Sequence, residues 1–544
     1  KWARPLRNIL LLLNDEVVKG KFDLGNDCFL TFNNFTFGHR YNNKKIILKS
    51  IRDYEILLKK NHVLLDREKR KQKILQDIDA LIKNKETKIL EDEILLNEVL
   101  GLAEFPSVLE GSISEEFMSL PREVLSTAMR VHQKYFSIID KNNNLLPKFL
   151  FISNSLPDKV RDSNIIKGNE RVLKARLSDA KFFWNSDKEN NLEELNEKLK
   201  NVQFHEGLGS LNEKTKRMSK TSVFFSKVFD VNQDFAKQAS LLSKADLISE
   251  MVGEFPELQG IMGGYYSQLQ GQPKEVSDAI FDHYKPKGLL DTIPRTKLGC
   301  LLSIIDKIDT LTGFFIINKQ PTGSKDPFAL RRTGFAIVQI LINHNLNISI
   351  NDIFVEAFKS YGSYSESTHK SLNDFIIDKI KFVLNQQNIS LDIIDSVMSL
   401  KNSFNIPIPI LIRRINLLEN QKNDAEFKTF LIGFKRVHNV LNHSDISKFR
   451  LNKVNETLFK IDEERELFKI VNMLDGQINK FEFDINSQNL IINQFLKLDH
   501  IIEAFFEKVI VNDNNERVKF NRLSLLNELS DNMNKFSKFN LILV

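Results

Sequence analysis

Apolar and polar positions change rhythm several times along this 544-residue chain. Over residues 8–60 the apolar residues come in short runs broken by Asn, Gly and Asp. That pattern predicts strands at Ile9–Leu13, Cys28–Phe32 and Lys45–Leu48, the first a buried one ended by Asn14-Asp15-Glu16. From Asp66 to Asn84 the period becomes helical. Ile74, Ile78, Leu81 and Ile82 fall on one face, and the charge run from Asp66 to Lys73 reads as the solvated side, with a nucleic-acid-facing arm as the alternative. Ile94–Glu110 is a further apolar segment. A short helix is expected at Glu115–Met118, and Pro121 suits the first turn of another that continues through Phe136, with Arg130 and Lys134 on a shared face. Phe149–Ile152 predicts a strand. Asn164–Trp184 then reads as a basic helix opened by Gly168-Asn169 and ended by Phe182, Phe183 and Trp184.

The stretch Leu241–Leu341 combines apolar helices with unusual residues. Gly253-Glu254-Phe255-Pro256 predicts a turn, Gly263-Gly264 a tight helix junction, and Lys285-Pro286 the end of a helix. Asp306 and Asp309 lie one turn apart on a helix expected over Leu301–Leu311. In the loop Pro321–Pro327, Asp326 is placed to cap a helix whose first position is Pro327. From Asn343 onward the pattern is helical, with a break at Pro407 and Pro409, a loop at Asn512–Asn515 and a closing helix Val518–Leu529. The chain is therefore expected to be a multidomain α+β protein, αβ at its start and helical afterwards.

Size supports several cores, because single cores rarely grow past about 250 residues. The net charge of +6 is mild. It is compatible with a nucleic-acid partner but demands none, so local clusters of cations matter more. The two cysteines, Cys28 and Cys300, and ten scattered histidines make no zinc-ligand spacing and no disulfide framework. No apolar run approaches the length of a membrane span, and a cytoplasmic location is expected. The opening Lys-Trp-Ala-Arg-Pro, without Met, predicts that natural N-terminal sequence is missing.

Four places carry possible chemistry. Arg171, Lys174 and Lys181 line one side of the basic helix, flanked by Arg176 and Asp179. They can track a nucleic-acid backbone, or Arg176 can pair with Asp179 on an ordinary exposed helix. Asp306 and Asp309 can hold Mg²⁺ or serve as acid and base, or can pair with Lys244 and Lys307. Lys325, Arg331 and Arg332 surround a helix start whose free amides favour an anion, which makes an RNA-phosphate site; ion pairs with Asp306 or Asp309 are the rival. Lys435, Arg436, His438 and Asn439 lie on an otherwise apolar helix over Phe427–Leu441, and Arg522 lies on the closing helix. Thr36–Arg40 reads as a turn at a sheet edge, with a phosphate contact at Gly38-His39-Arg40 as the alternative, and His132 as a core or interface histidine, with a ligand pocket as the alternative. His205-Glu206-Gly207-Leu208-Gly209-Ser210 is a tight turn that lacks the spacing of a phosphate-binding loop.

Several long strings resemble one family. They include RPLRNILLLLNDEVV, PREVLSTAMRVHQKYF, GNERVLKARLSDAKFFW, HEGLGSLNEKTKRM, KADLISEMVGEFPELQGIMGGYY, DKIDTLTGFFIINKQPTGSKDPFALRR and FFEKVIVNDNNERVKFNRLSLL. Together they resemble, over essentially the whole chain, the β subunits of bacterial tetrameric glycyl-tRNA synthetases, whose members usually carry a further N-terminal segment. The resemblance implies an essential subunit of glycine–tRNA ligase in an α2β2 assembly, binding tRNA-Gly, with no catalytic residue or cofactor of its own. ATP and Mg²⁺ would act at the α subunit. It implies a B3/B4-like αβ region at 1–190 with a helical arm near 66–98, and a connecting segment at 191–234. A degenerate HD-like helical domain would follow at 235–341, a helical linker or body region at 342–420, and an anticodon-binding-like helical domain at 421–544. In the HD-like part, Lys244-Ala245-Asp246 stands where HD hydrolases have a His-Asp pair, and Asp306 matches the later Asp. The missing His speaks against the alternative of a metal-dependent phosphohydrolase using Asp246, His283 and Asp306. A non-enzymatic RNA-binding scaffold is the other alternative. Lys435, Arg436, His438, Asn439 and Arg522 become anticodon-domain candidates. Arg171, Lys174, Lys181, Lys325, Arg331 and Arg332 become candidates for acceptor-arm or inter-subunit contact.

Overall fold

The computed structural model describes residues 6–82, 86–362, 364–443, 453–481 and 484–544. The chain divides into two compact units, Lys1–Asn190 with Leu247–Gln259, and Asn191–Asp246 with Gly260–Val544.

The first unit is α+β. Near its start, Ile9–Leu10 runs parallel to Cys28–Asn33, which pairs antiparallel with Lys21–Gly25. The single buried strand expected over Ile9–Leu13 is instead two short ones. Leu12–Leu13 folds back on Glu16–Val17, because Asn14 and Asp15 both take positive φ in a two-residue hairpin, and Leu13 is left exposed. The main sheet has four antiparallel strands in the order Thr87–Ile89, Phe136–Asp140, Leu145–Ser153, Ser107–Ser112. Its core takes Ile74 and Ile78 from the Arg67–Leu81 helix and Leu95 and Val99 from the Glu93–Val99 helix, against Phe136, Ile138 and Leu150. Asp66 caps the former helix by accepting from the backbone of Glu68 and Lys69.

Two helix expectations in this unit change. The helix after Pro121 covers Arg122–Thr127, widens into a π turn over Ala128–Gln133 and stops at Lys134, which has φ 60°. Phe136 begins a strand of the sheet instead, and Tyr135 just before it stacks on Phe149 at 4.6 Å between ring centres. The basic helix runs Lys159–Asp187 and is capped by Asp158, so Gly168-Asn169 lies inside it. Asn169 does not cap; its amide nitrogen donates to the Ile165 carbonyl at 2.8 Å and its Oδ1 accepts from the Tyr135 hydroxyl.

The second unit is helical apart from a small hairpin of Gln203–His205 with Gly209–Ser210. Gly209 has φ 80°, and a Cβ there would lie 2.3 Å from a Glu213 carboxylate oxygen. That carboxylate completes a capping box with Ser210 at the start of the Leu211–Phe229 helix. The Lys297–Ile316 helix, longer than expected, is buried along nearly its whole length. Around it pack Leu211–Phe229, Gln233–Leu242, Lys274–Asp282, Leu330–Asn343 and Ile350–Lys359. Gly263 and Gly264 lie within the Ile261–Leu269 helix and form no junction. A Cβ on Gly264 would meet Phe281 at 2.9 Å, so the pair of glycines permits close approach to the Lys274–Asp282 helix.

After the break at Pro407, helices Ile408–Gln421, Ala425–His443, Asp462–Phe481, Gln488–Leu496, Asp499–Lys508 and Glu516–Asn534 form a bundle. Phe430, Phe434, Phe495 and Phe536 converge on Phe539 at its centre. The architecture is thus multidomain α+β, a mixed sheet region followed by a helical bundle. Among the described residues, no helix is long and apolar enough to cross a membrane.

Candidate functional site

The helical spacing does place Asp306 and Asp309 on the same side of the Lys297–Ile316 helix, and both are buried. They face cations from two other elements. Lys244, in the break between the Gln233–Leu242 helix and the Ala245–Ile248 turn, sends its ammonium 2.8 Å from Asp306 Oδ2 and 2.9 Å from His283 Nε2. The same ammonium lies 3.8 Å from the centre of the Tyr284 ring. Lys214 reaches Asp306 Oδ1 at 3.0 Å and Asp309 Oδ2 at 3.1 Å, and Arg217 donates to Asp309 Oδ1 at 2.7 Å.

Sequence reasoning found Lys244 as a partner but missed Lys214 and Arg217. It also named Lys307, which turns elsewhere and donates to the carbonyls of His283 and Lys285 and to Ser303 Oγ. The available signal was the spacing of Lys214 and Arg217, three apart on one helix like their aspartates.

The electrostatics follow from burial and these contacts. Burial works to raise the Asp306 pKa, but Lys214, Lys244 and neighbouring charges overcome it and hold the group well below the usual carboxylate range. Burial, then the Lys244 charge, drives His283 well below its ordinary value. Its Nδ1 lies 2.6 Å from the Ile280 carbonyl and so carries the proton, which leaves Nε2 to accept from Lys244. Burial pushes Lys307 down to about 7. Burial also lifts Asp246 to about 6, although its Oδ2 accepts from the amides of Gly260 and Gly263 at 2.6 and 2.9 Å.

These residues do not fit a metal. The Lys244 ammonium itself bridges His283 and Asp306, so a fixed positive charge already neutralises the acceptors that a divalent ion would need. Among the described residues, no group of three or more His, Cys, Asp or Glu is arranged to hold one.

The candidate cations fall into three settings. On the Lys159–Asp187 helix, Arg171 and Lys174 are exposed and line a cavity of about 300 Å³ together with Phe117, Glu170 and Ser112. Glu170 accepts from the Ser112 amide and hydroxyl at 2.8 and 2.6 Å. Lys181 is drawn away to Glu116 at 3.3 Å and sits over the Phe117 ring. Arg176 pairs with Glu254 at 2.9 Å, and the anticipated Asp179 pairing is not formed.

At the second place the helix begins at Leu330, because Ala329 has φ 54° and turns the chain first; Pro327 lies in the preceding turn. Asp326 still caps it, accepting from the amides of Leu330 and Arg331 at 2.8 and 3.0 Å. The amides expected to be free for an external anion are therefore occupied. Arg331 donates to the Gly323 carbonyl at 2.6 Å, while Lys325 and Arg332 are exposed. Neither of the rival ion pairs forms, since Asp306 and Asp309 are taken up by Lys214, Arg217 and Lys244.

On the Ala425–His443 helix, Arg436 and Asn439 are exposed and Lys435 and His438 half-buried. The Arg436 guanidinium lies 4.5 Å from the Phe506 ring centre, and His438 Nε2 is 2.9 Å from the Asn442 amide. Arg522 requires a correction. It is 2% exposed and donates to Glu464 at 2.7 Å, to Asp513 at 3.0 Å and to the Ile510 carbonyl at 2.8 Å. It ties helices of the bundle together and is not presented to a ligand.

The remaining motifs are structural. His132 packs edge-on against Phe255, Arg130 pairs with Asp92, Lys134 pairs with Glu98, and buried His39 contacts Asn154 Oδ1 at 3.0 Å.

Residues 431–537, which include the exposed side of the Ala425–His443 helix, match the model of the DALR anticodon binding domain. That match defines the class, a chain whose helical end is built like the anticodon-reading part of an aminoacyl-tRNA synthetase. Residues 1–399 match the model described as glycyl-tRNA synthetase beta subunit. The glycine–tRNA ligase beta subunit of Rickettsia canadensis (strain McKiel) is 39% identical over 541 residues, covering 99% of this chain and 78% of that protein. The corresponding proteins of Rickettsia felis and Rickettsia bellii (strain OSU 85-389) are each 38% identical, with the same coverage. The chain belongs to the glycyl-tRNA synthetase beta subunit family.

Proposed function

We propose that this chain binds tRNA-Gly and positions it for ATP-dependent glycylation at an active site on a partner α subunit, in a cytoplasmic α2β2 assembly. ATP and Mg²⁺ act at the α subunit. The observation that carries this reading is the coincidence of the anticodon-domain match with the helix that presents Arg436 and Asn439 to solvent.

Residues 421–544 would then read the anticodon arm. Arg436 and Asn439 have the donors and acceptors to read base edges or phosphates, with Lys435 and His438 beside them. The exposed cations Arg171, Lys174, Lys325 and Arg332 suit backbone phosphates of the acceptor arm or a partner surface, with Lys181 and Arg331 held in place at their edges. Residues 1–190 are read as the B3/B4-like region, 191–234 as a connection and 342–420 as a helical body. The HD-like region, 235–341, is read as a scaffold, because Lys244 supplies the positive charge between His283 and Asp306. That feature opposes the phosphohydrolase reading with Asp246, His283 and Asp306.

The test is glycylation of tRNA-Gly by the α subunit with and without this chain, alongside tRNA binding by the chain alone. Glycylation that requires both chains, with tRNA binding by this one, supports the proposal. Phosphohydrolase activity stimulated by a divalent metal, without tRNA binding, overturns it.

A further inference from the structure

The cavity of about 300 Å³ beside the Lys159–Asp187 helix lies wholly within the first unit. Its base is apolar and buried, made by Ile113, Phe117, Leu173 and Leu177. Above that base stand the exposed side chains of Ser112, Ser114, Arg171 and Lys174, with Glu170 half-buried beside them. Arg171 and Lys174 are three residues apart and share a side of the helix. Neither has a hydrogen bond, ion pair or ring contact among the described residues. Arg176 and Lys181, further along the same helix, are held by Glu254 and Glu116.

Glu170 is the natural partner for Lys174, because a glutamate four residues before a lysine is the favoured order for a helical ion pair. The pair is not formed. The Ser112 amide and hydroxyl donate to one Glu170 oxygen instead, at 2.8 and 2.6 Å, and Lys174 is left open. The Ser114 hydroxyl precedes the Glu115–Phe117 turn without capping it. The cavity therefore carries two cations and a hydroxyl whose donors are unspent, against one carboxylate already satisfied by hydrogen bonds. Their number selects the ligand. A phosphomonoester carries a charge of about −1.5 to −2 at pH 7 and three acceptor oxygens, which suit a guanidinium fork, an ammonium and a hydroxyl together. A carboxylate or a backbone phosphodiester brings a single charge. The apolar base keeps water from beneath the anion and strengthens its attraction to both cations. A cavity closed beneath also admits the end of a strand better than a strand running through.

We propose that this cavity receives the 5′-terminal phosphate of tRNA, held by Arg171, Lys174 and the Ser114 hydroxyl. The proposal rests on the reading of the chain as a tRNA-binding subunit and deepens it, since it replaces a general phosphate contact at these two cations with recognition of a strand end.

The experiment compares binding of the full chain to tRNA-Gly with and without its 5′-phosphate, for the wild type and for Arg171→Gln with Lys174→Gln. Ligand-observed NMR with adenosine 5′-monophosphate, adenosine and an aspartate-bearing peptide, and the thermal midpoint, are measured in parallel. Removing the phosphate should weaken wild-type binding about tenfold, and should make no difference to the double variant, whose midpoint stays unchanged. The monophosphate should bind the wild type in preference to adenosine, and that preference should vanish in the variant. Equal affinity of the wild type for both forms of tRNA would overturn the proposal, even where the free monophosphate binds. So would a phosphate dependence that survives in the variant, or saturation by the peptide and not by the monophosphate. Failure of the wild type to bind either form of tRNA would overturn the functional reading instead, and the preference for the monophosphate over adenosine reports on the cavity separately.

Discussion

The central helical region and the Ala425–His443 helix carry similar residues, lysines and arginines on mostly apolar helices, and use them in opposite ways. In the centre, Lys214, Arg217 and Lys244 are closed around Asp306 and Asp309, out of reach of any partner. At Arg436 and Asn439 the side chains stand in solvent. A charge in the first setting costs stability when its partner is lost; a charge in the second is free to meet a phosphate. The difference lies in which helix face a residue occupies and what packs on it. Residue type alone does not decide whether a basic motif binds RNA or holds a fold together.

The largest effect should come from opening the central cluster. Lys244→Met leaves Asp306 buried with less compensation and should destabilise the chain by about 3–5 kcal/mol, measured by denaturant unfolding. Adding Asp306→Leu should recover much of that loss, because an apolar pair replaces an incomplete ionic one. A single substitution without effect would show that the cluster is not the structural element described.

Arg522→Met should behave like the central cluster and unlike Arg436. It strands Glu464, which is fully buried, and should also cost about 3–5 kcal/mol. Affinity for tRNA per folded molecule should stay unchanged. A stable Arg522→Met variant with weakened tRNA binding would place this residue back among the exposed cations.

A smaller effect is expected from pH. Lys307 has a folded pKa of about 7 against 10.5 when unfolded, so the unfolded chain binds more protons between those values. Stability should therefore rise by a few kcal/mol as pH increases from 7 towards 10.5, against the background of other groups. Lys307→Met should flatten that rise, which denaturant midpoints across the alkaline range would reveal.

The smallest change in stability is expected at the surface. Arg171→Glu with Lys174→Glu should alter stability by no more than about 0.5 kcal/mol. It should weaken tRNA binding uniformly and reduce the salt dependence of the binding constant by about one unit for each phosphate no longer neutralised.

Much of this was readable from local pattern. The faces of the Arg67–Leu81 helix, the shared side of Asp306 and Asp309, and the capping role of Asp326 all follow from spacing and side-chain chemistry. What failed depended on distant partners or on backbone turns made by residues that rarely make them. Ala329 at positive φ delays a helix start that Asp326-Pro327 announces. Lys214 and Arg217 reach aspartates on a helix far along the chain. Arg522 could have been placed correctly, since Val518, Leu525 and Leu526 lie three or four residues away and put it on the apolar face. The long family-like strings carried the functional reading further than any one motif, because Lys-rich helices alone fit scaffold and RNA binder equally.

The most direct measurement pairs tRNA-Gly affinity with the unfolding midpoint for two variants, Lys244→Met and Arg436→Glu. Lys244→Met should lower the midpoint while its folded fraction binds tRNA as the wild type does, and Arg436→Glu should weaken tRNA binding at an unchanged midpoint. The reverse pattern, tRNA binding abolished at Lys244 with stability intact and an unfolding defect at Arg436, would contradict the division between a structural cluster and the exposed helix proposed to bind RNA.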